Sequence, residues 1–171
     1  MPITRLNHAV LYVRDVEASV AFYSAVLGFR RLDMLPDGFD GAAFLQAEGS
    51  ANDHDLGLFQ MESGAGPSTA GRSTVGLYHL AWEVDTLAEL DRIRLALAAA
   101  GALTGTADHS SSKSLYAHDP DGIEFEVAWF VPADKLDDGV LEARRGISRL
   151  DLPAEFERYG DGTVGGLAGV T

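Results

Sequence analysis

The sequence predicts an α+β fold made of two βαβββ modules, and three observations support this prediction. A strand-like segment that contains a histidine occurs at residues 7–16 and again 71 positions later at residues 78–87. Each copy is followed by apolar residues at helical spacing. Each helix pattern is followed by three short runs of strand-forming residues. A duplication of this kind predicts an open, cupped mixed β-sheet with the helices outside.

The first module is predicted over residues 1–62. Its helix is expected over 16–27, because Asp15 can cap the first turn and Gly28 can take the left-handed conformation that ends a helix. Strand-like runs follow, separated by turns rich in Pro, Asp, Gly and Asn; they are 29–35, 42–47 and 55–61.

The second module is predicted over residues 76–131. Its helix is expected over 87–100, where Thr86 and Glu89 have the spacing of a capping box. Three strand-like runs follow it, and an Asp-Pro-Asp-Gly turn joins the last two; they are 102–107, 112–117 and 123–130.

Two segments lie outside the repeat. Residues 63–75 are rich in Gly, Ser and Pro, which predicts a linker between the modules. Residues 132–171 form a C-terminal extension, in which 137–145 is predicted to be helical and 160–171, rich in glycine, to be frayed.

Composition limits the classes of function. The chain of 171 residues has a formal net charge of −13 and no run of Lys and Arg, which makes nucleic acid and anionic membranes poor partners. The absence of cysteine excludes disulfides, thiolate metal sites and cysteine nucleophiles. No segment has the apolar length of a signal peptide or a membrane helix. We therefore expect a cytoplasmic protein without a nucleic-acid or membrane partner.

The histidines of the repeat indicate a metal site. His8 and His79 occupy equivalent positions near the start of the first strand of each module, and Glu126 lies in the last strand of the second module. If the modules stack about a pseudo-twofold axis, both imidazoles would project into one cavity that the carboxylate can complete. Two imidazoles and one carboxylate suit Fe(II), Mn(II) or another dication with open coordination positions. The alternative is that both histidines have structural roles and share their positions only through duplication.

Three motifs together resemble the vicinal oxygen chelate superfamily, which includes glyoxalase I, fosfomycin-resistance enzymes, methylmalonyl-CoA epimerase and the extradiol ring-cleaving dioxygenases. They are Leu-Asn-His-Ala-Val at 6–10, Gly-Leu-Tyr-His-Leu-Ala-Trp at 76–82 and Asp-Pro-Asp-Gly-Ile-Glu-Phe-Glu at 119–126. The resemblance covers residues 5–132. It implies metal ligands at His8, His79 and Glu126.

Further residues resemble those of the extradiol, catechol 2,3-dioxygenase-like enzymes, which carry two more histidines and a tyrosine. The segment 54–58 begins with His54, and the segments 108–109 and 113–116 contain His109 and Tyr116. The resemblance implies that His54 stands near dioxygen, that His109 donates a proton or contacts substrate, and that Tyr116 bonds a substrate oxygen. Each residue also has a structural alternative: His54 could open a strand, His109 could lie in a surface loop, and Tyr116 could pack in the core.

The function implied by the resemblance is metal-dependent extradiol cleavage of a small aromatic diol of the catechol type with O2. The metal would be Fe(II), or alternatively Mn(II), and a homodimer is expected by analogy with relatives. A glyoxalase-like lyase or isomerase with Ni(II) or Zn(II) is the rival enzyme. It usually needs a fourth protein ligand, for which Gln60 or Glu62 would have to serve. A non-catalytic binding module of the bleomycin-resistance type is the other alternative.

Overall fold

The predicted fold class is confirmed by a computed structural model, which describes residues 2–3, 5–71 and 73–166. The strands form two four-stranded mixed sheets, one in each module, with one long helix in each module. Neither sheet closes into a barrel, because each has two different edge strands. Among the described residues, no helix is long and apolar enough to cross a membrane.

The first sheet has the strand order β1-β4-β3-β2, with β1 parallel to β4 and the other pairs antiparallel. The caps predicted for its helix are confirmed: the Asp15 side chain accepts from the Ala18 N–H, and Gly28 has a φ of 74°. The elements of this module are β1 (Ala9–Val13), α1 (Val16–Leu27), β2 (Arg30–Leu32), β3 (Ala42–Gln46) and β4 (Leu56–Gln60).

The second sheet repeats this arrangement in the order β5-β8-β7-β6, with β5 parallel to β8. Its helix begins after Thr86, whose side chain accepts from the Glu89 N–H. The elements of this module are β5 (Leu80–Glu83), α2 (Leu87–Ala99), β6 (Leu103–Asp108), β7 (Ser112–His118) and β8 (Glu124–Phe130).

The C-terminal extension contains more structure than the sequence pattern predicts. A 3-10 helix (Ala133–Lys135) precedes α3 (Asp138–Ala143), which confirms the predicted helix, and α4 (Leu152–Tyr159) was not expected. The prediction of a frayed end is wrong for residues 160–166. The N–H groups of Gly165 and Gly166 donate to the carbonyls of Asp85 and Phe130, so this segment is held on the second module. Residues 167–171 lie outside the described part of the chain.

Each module buries one face of its sheet under its helix. In β1, Leu11 and Val13 are buried, whereas Val10 and Tyr12 on the opposite face are exposed. The core of the first module includes Tyr23, Leu45, Leu56 and Leu58, and that of the second includes Leu90, Leu97, Leu115, Val127 and Trp129. The predicted site residues in the strands therefore lie, in each sheet, on the face that the helix does not cover.

The chain divides into two compact units, which are not the same as the two sequence repeats. The first unit contains residues 1–68, which are the first module and the start of the linker, together with the turn Asp119–Gly122. The second unit contains the rest of the chain. Hydrogen bonds connect the turn to the rest of the first unit. The Tyr23 hydroxyl donates to Asp119 Oδ2 at 3.1 Å, and the Arg14 N–H donates to Asp121 Oδ2 at 3.1 Å.

Candidate active site

In the second unit, Glu126 lies at the centre of a row of residues that crosses the sheet. Its strand partners are Ala81 on β5 and Tyr116 on β7. Phe125 and Val127, its neighbours in β8, are buried on the opposite face under the helices. The alternation of a β-strand thus directs the Glu126 carboxylate away from the core, as the parity of the sequence predicts.

His79 lies beside this carboxylate. Its Nε2 atom is 3.1 Å from Glu126 Oε2, and the two side chains are 23% and 15% exposed. Among the described residues, the buried Nδ1 of the same imidazole has no hydrogen-bond partner. The structure therefore brings together two of the three predicted metal ligands, a nitrogen and an oxygen donor, within contact of each other.

Tyr116 faces Glu126 directly across the β7–β8 ladder. Its ring lies 5.9 Å from the His79 ring, centroid to centroid. Burial raises the pKa of Tyr116, and the negative charge of Glu126 and the nearby Tyr78 raise it further. The phenol therefore stays protonated at neutral pH in this environment and can donate a hydrogen bond.

His109 belongs to the same cluster, although its sequence context suggested a surface loop. It lies in the turn between β6 and β7, and its Nε2 is 3.0 Å from Tyr116 Oη. The turn includes Ser110 at a φ of 68°, a left-handed conformation that few residues other than glycine adopt. His79, Glu126, Tyr116 and His109 consequently form one connected group within the second unit.

In the first unit, His8 lies against His54. The ring centroids are 4.4 Å apart, and the His54 ring also meets Phe44 edge-on at 4.9 Å. His8 is exposed, and its Nδ1 is 2.8 Å from the Asn7 side-chain oxygen. His54 is mostly buried and its Nδ1 is 3.1 Å from Asp53 Oδ2. The first unit thus pairs the third predicted ligand with the histidine that the resemblance places near dioxygen.

Gly57 occupies the position in the first sheet that Glu126 has in the second. Its strand partners are Val10 and Phe44, and a Cβ atom at Gly57 would lie 3.4 Å from both side chains. The position therefore supplies no ligand. Gln60 does not replace it, because it lies three residues further along β4 on the other face and its Oε1 accepts from the Val16 N–H.

The predicted ligand set is divided between the two compact units. His8 belongs to the first unit, and His79 and Glu126 belong to the second. Within the part of the chain that the structure describes, no three His, Cys, Asp or Glu side chains are close enough to hold a metal ion as a group. The pair His79 and Glu126 is the part of the predicted metal site that the structure assembles.

Two features of the site were not found from the sequence. Phe44 contributes an aromatic wall beside His54, and Asp108 accepts a hydrogen bond from the Ser110 N–H in the turn that carries His109. The Phe44 contact depends on which residues of β3 and β4 face each other, and the sequence pattern predicts no pairing for these two strands. An Asp two residues before a turn N–H is a recognisable local signal, so Asp108 could have been identified.

Comparisons with known proteins agree with the architecture. Residues 5–127 match the family described as the glyoxalase/bleomycin resistance protein/dioxygenase superfamily. A catechol-2,3-dioxygenase of Bacillus subtilis is 32% identical over 124 residues, which are 72% of this chain and 41% of that protein. The chain thus spans about two fifths of the length of this curated relative.

Solved structures show the same fold. A glyoxylase/bleomycin resistance protein/dioxygenase domain from Frankia sp. is 26% identical with a TM-score of 0.60, and the match covers 74% of this chain and 92% of that one. A lactoylglutathione lyase from Agrobacterium tumefaciens is 24% identical with a TM-score of 0.53, covering 75% and 95%. The second similarity concerns the fold alone.

Proposed function

The chain belongs to the glyoxalase/bleomycin resistance protein/dioxygenase superfamily, and within it we propose that it is a metal-dependent extradiol dioxygenase. The substrate would be a small aromatic diol of the catechol type, cleaved with O2. One observation carries the proposal: His79, Glu126, Tyr116 and His109 form a connected group on the uncovered face of the second sheet. It combines two metal-ligand types with a phenol and an imidazole that can move a proton.

The donor set fits a divalent metal. His79 Nε2 and Glu126 Oε2 lie 3.1 Å apart, and imidazole nitrogen and carboxylate oxygen are donors that first-row divalent cations bind. We propose that His8 completes the set, with Fe(II) as the metal or Mn(II) as the alternative. When bound, the cation would supply Lewis acidity and open positions for substrate oxygens and dioxygen.

The residues around the ligands would bind substrate and move protons. Tyr116 keeps its proton because burial raises its pKa, so its hydroxyl can donate to a negatively charged oxygen of a deprotonated diol. His109 Nε2, 3.0 Å from that hydroxyl, can take up a proton released by the substrate and return it to the cleaved product.

The first unit would contribute a different environment. His54 stands between His8 and the Phe44 ring and is largely buried, so an imidazole is held beside an apolar surface. An aromatic substrate could pack on such a surface. We propose that His54 stands near dioxygen and assists steps that follow oxygen entry, without binding the metal.

Gly57 favours dioxygenase chemistry over the glyoxalase-like alternative. A fourth protein ligand would be expected on the last strand of the first module, and the symmetry-related position carries no side chain. Three protein ligands leave more coordination positions for a diol and for dioxygen. Superfamily members bind small molecules and often form dimers, and we propose a homodimer for this chain as well.

An oxygen electrode and a lyase assay on one preparation test the proposal. The metal-free protein is loaded with Fe(II) under anaerobic conditions and then given a panel of catechols. We expect oxygen uptake and a yellow ring-fission product, and no turnover of the hemithioacetal of methylglyoxal and glutathione. Lyase turnover without oxygen uptake would place the protein in the glyoxalase branch instead. The His79→Ala variant, treated identically, controls for oxidation of catechols by free iron.

A further inference from the structure

Lys113 is a fully buried cation that the proposed chemistry does not use. It lies on β7 three residues before Tyr116 and therefore points to the opposite face of the sheet, under the helices. Its side chain is 0% exposed, its Nζ is 2.6 Å from Asp108 Oδ1 and 3.0 Å from Glu155 Oε2, and it lies 5.8 Å from the centre of the Tyr159 ring. A buried ammonium group is tolerated when it is paired in this way.

The two carboxylates come from different parts of the second unit. Asp108 is the last residue of β6, and Glu155, itself buried, lies in α4 of the C-terminal extension. The extension has a second attachment at the same place, because the backbones of Asp108 and Ser148 exchange hydrogen bonds of 2.9 and 3.0 Å. Side-chain and backbone contacts thus both connect the extension to Asp108.

Asp108 also organises the turn that carries His109. The same Oδ1 atom that accepts from Lys113 accepts from the Ser110 N–H at 2.7 Å. Ser110 has the left-handed conformation noted above, which a non-glycine residue keeps only where its surroundings enforce it. His109, one residue after Asp108, is thereby set in the position from which its Nε2 reaches Tyr116.

We propose that Glu155, Lys113 and Asp108 are positioning residues, which hold the His109 imidazole against Tyr116 from the far side of the sheet. The C-terminal extension then has a role in the active site through Glu155, which acts from the opposite face of the sheet. The consequence for turnover rests on the proposed function, whereas the positioning of His109 does not. A cluster that only anchored α4 would affect stability and leave the imidazole unchanged.

Nuclear magnetic resonance of the imidazole nitrogens separates these two roles in the metal-free protein. The His109 signals are assigned by their loss in His109→Gln, and His118, on the rim of the same sheet, serves as an internal reference. In wild type we expect one His109 tautomer with a hydrogen-bonded Nε2. In Lys113→Met and Glu155→Gln we expect the His109 signals to move toward those of a free, tautomer-averaging imidazole, with the larger shift in Lys113→Met.

Leu152→Ala is the matched control. Leu152 is buried at the start of α4, so its truncation weakens the extension without removing a member of the ion cluster. We expect this variant to have a lower melting temperature and unchanged His109 signals. In Lys113→Arg, which keeps the positive charge, we expect the His109 signals to lie closer to those of wild type than in Lys113→Met. Unchanged His109 signals in a folded Glu155→Gln or Lys113→Met protein would overturn the proposal, and so would an equal shift in Leu152→Ala.

Glu155→Gln carries the test by itself if Lys113→Met does not fold, because Asp108 still pairs with the lysine. Activity provides the second measurement. If the protein is a dioxygenase, kcat in Glu155→Gln should fall by about tenfold or more at full metal occupancy, since positioned proton transfer contributes ~10²–10⁴-fold. If the His109 signals move but wild type cleaves no catechol, the positioning stands and the proposed function fails.

Discussion

The two sheets have the same strand order but carry different side chains at equivalent places. In the second sheet, the central row across three strands is Ala81, Glu126 and Tyr116. In the first sheet it is Val10, Gly57 and Phe44. The second row therefore holds a carboxylate and a phenol, whereas the first holds an apolar surface around a glycine.

The repeated histidines differ in the same way. His79 lies against the Glu126 carboxylate, and His8 lies against the His54 ring and, through it, the Phe44 wall. A duplicated scaffold has thus kept equivalent imidazoles but changed their surroundings. The second module thus places a carboxylate beside its histidine, whereas the first places a second imidazole and an aromatic ring there.

Loss of a metal ligand should have the largest effect. We expect His8→Ala, His79→Ala and Glu126→Ala each to abolish stoichiometric Fe(II) binding and oxygen uptake while the fold is retained. Mutation of a residue that only hydrogen-bonds to a ligand already lowers metal affinity or activity by ~10–100-fold, so loss of a ligand itself should have a larger effect. Elemental analysis after anaerobic loading measures the metal, and circular dichroism checks the fold. His118→Ala, which removes an exposed histidine on the same sheet, is the control. Full metal occupancy in all three variants would show that the ligand assignment is wrong.

Replacement of His54 in the first module and of His109 in the second should have different effects on catechol binding and on the rate of ring cleavage. In His54→Phe we expect metal and catechol to bind as in wild type, with the single-turnover rate of ring cleavage reduced by ~10²–10⁴-fold. His109→Phe should show a fall of similar size but should also weaken catechol binding, because it removes the partner of Tyr116. Anaerobic catechol titration and rapid mixing with oxygen measure the two quantities. Unchanged cleavage in His54→Phe would remove this residue from the active site.

Gly57→Glu places a carboxylate in the first sheet at the position equivalent to Glu126 in the second. A Cβ at this position lies 3.4 Å from Val10 and Phe44, so small adjustments of these side chains can accommodate it. We expect the added carboxylate to tighten metal binding and to lower oxygen-dependent turnover by about tenfold or more, comparable to other changes around a metal, because it occupies a position that substrate needs. Gly57→Ala is the matched control and should keep most of its activity. Unchanged metal affinity in Gly57→Glu would indicate that Gly57 does not face the metal.

The smallest effect is expected at the turn Asp119–Gly122, which belongs to the second module in sequence but to the first compact unit in the structure. Tyr23 donates to Asp119, and Tyr23→Phe should lower the free energy of unfolding by about 1–3 kcal/mol at neutral pH. Burial, followed by the charge of Asp119, raises the pKa of Tyr23 well above its usual value. Because the pKa of Tyr23 is higher in the folded state, its contribution to stability is complete below the unfolded-state pKa of about 10. That contribution is lost as the pH rises above this value toward the folded-state pKa. The difference between wild type and Tyr23→Phe in urea unfolding should therefore shrink above pH 10, and a difference that grows there would contradict this reading.

Much of the fold could be predicted because the repeat and the helix caps are local signals. Asp15, Gly28 and Thr86 cap their helices as expected. The strand predicted over 29–35 is wrong in length, because β2 covers only Arg30–Leu32. The fold class therefore follows from periodicity and from the repeat.

The features that were missed depend on contacts between distant residues. Lysine is usually a surface residue, and the burial of Lys113 requires Glu155, 42 positions later. The helix α4 is short, although its start has clear local signals in the Asp151 cap and Pro153. The glycine-rich composition of the C-terminal end predicts a frayed tail, yet a Cβ at Gly165 would overlap the Phe130 carbonyl and the Trp129 ring, so glycine is needed for close packing there.

Anomalous diffraction at the iron edge, from crystals grown anaerobically with Fe(II), tests the central claim most directly. We expect one iron atom per chain, within bonding distance of His79 Nε2 and the Glu126 carboxylate, with His8 as the third protein ligand and no ligand from β4. Iron bound elsewhere, for example at His118 and Glu124, or no iron at the His79 and Glu126 pair, would contradict it.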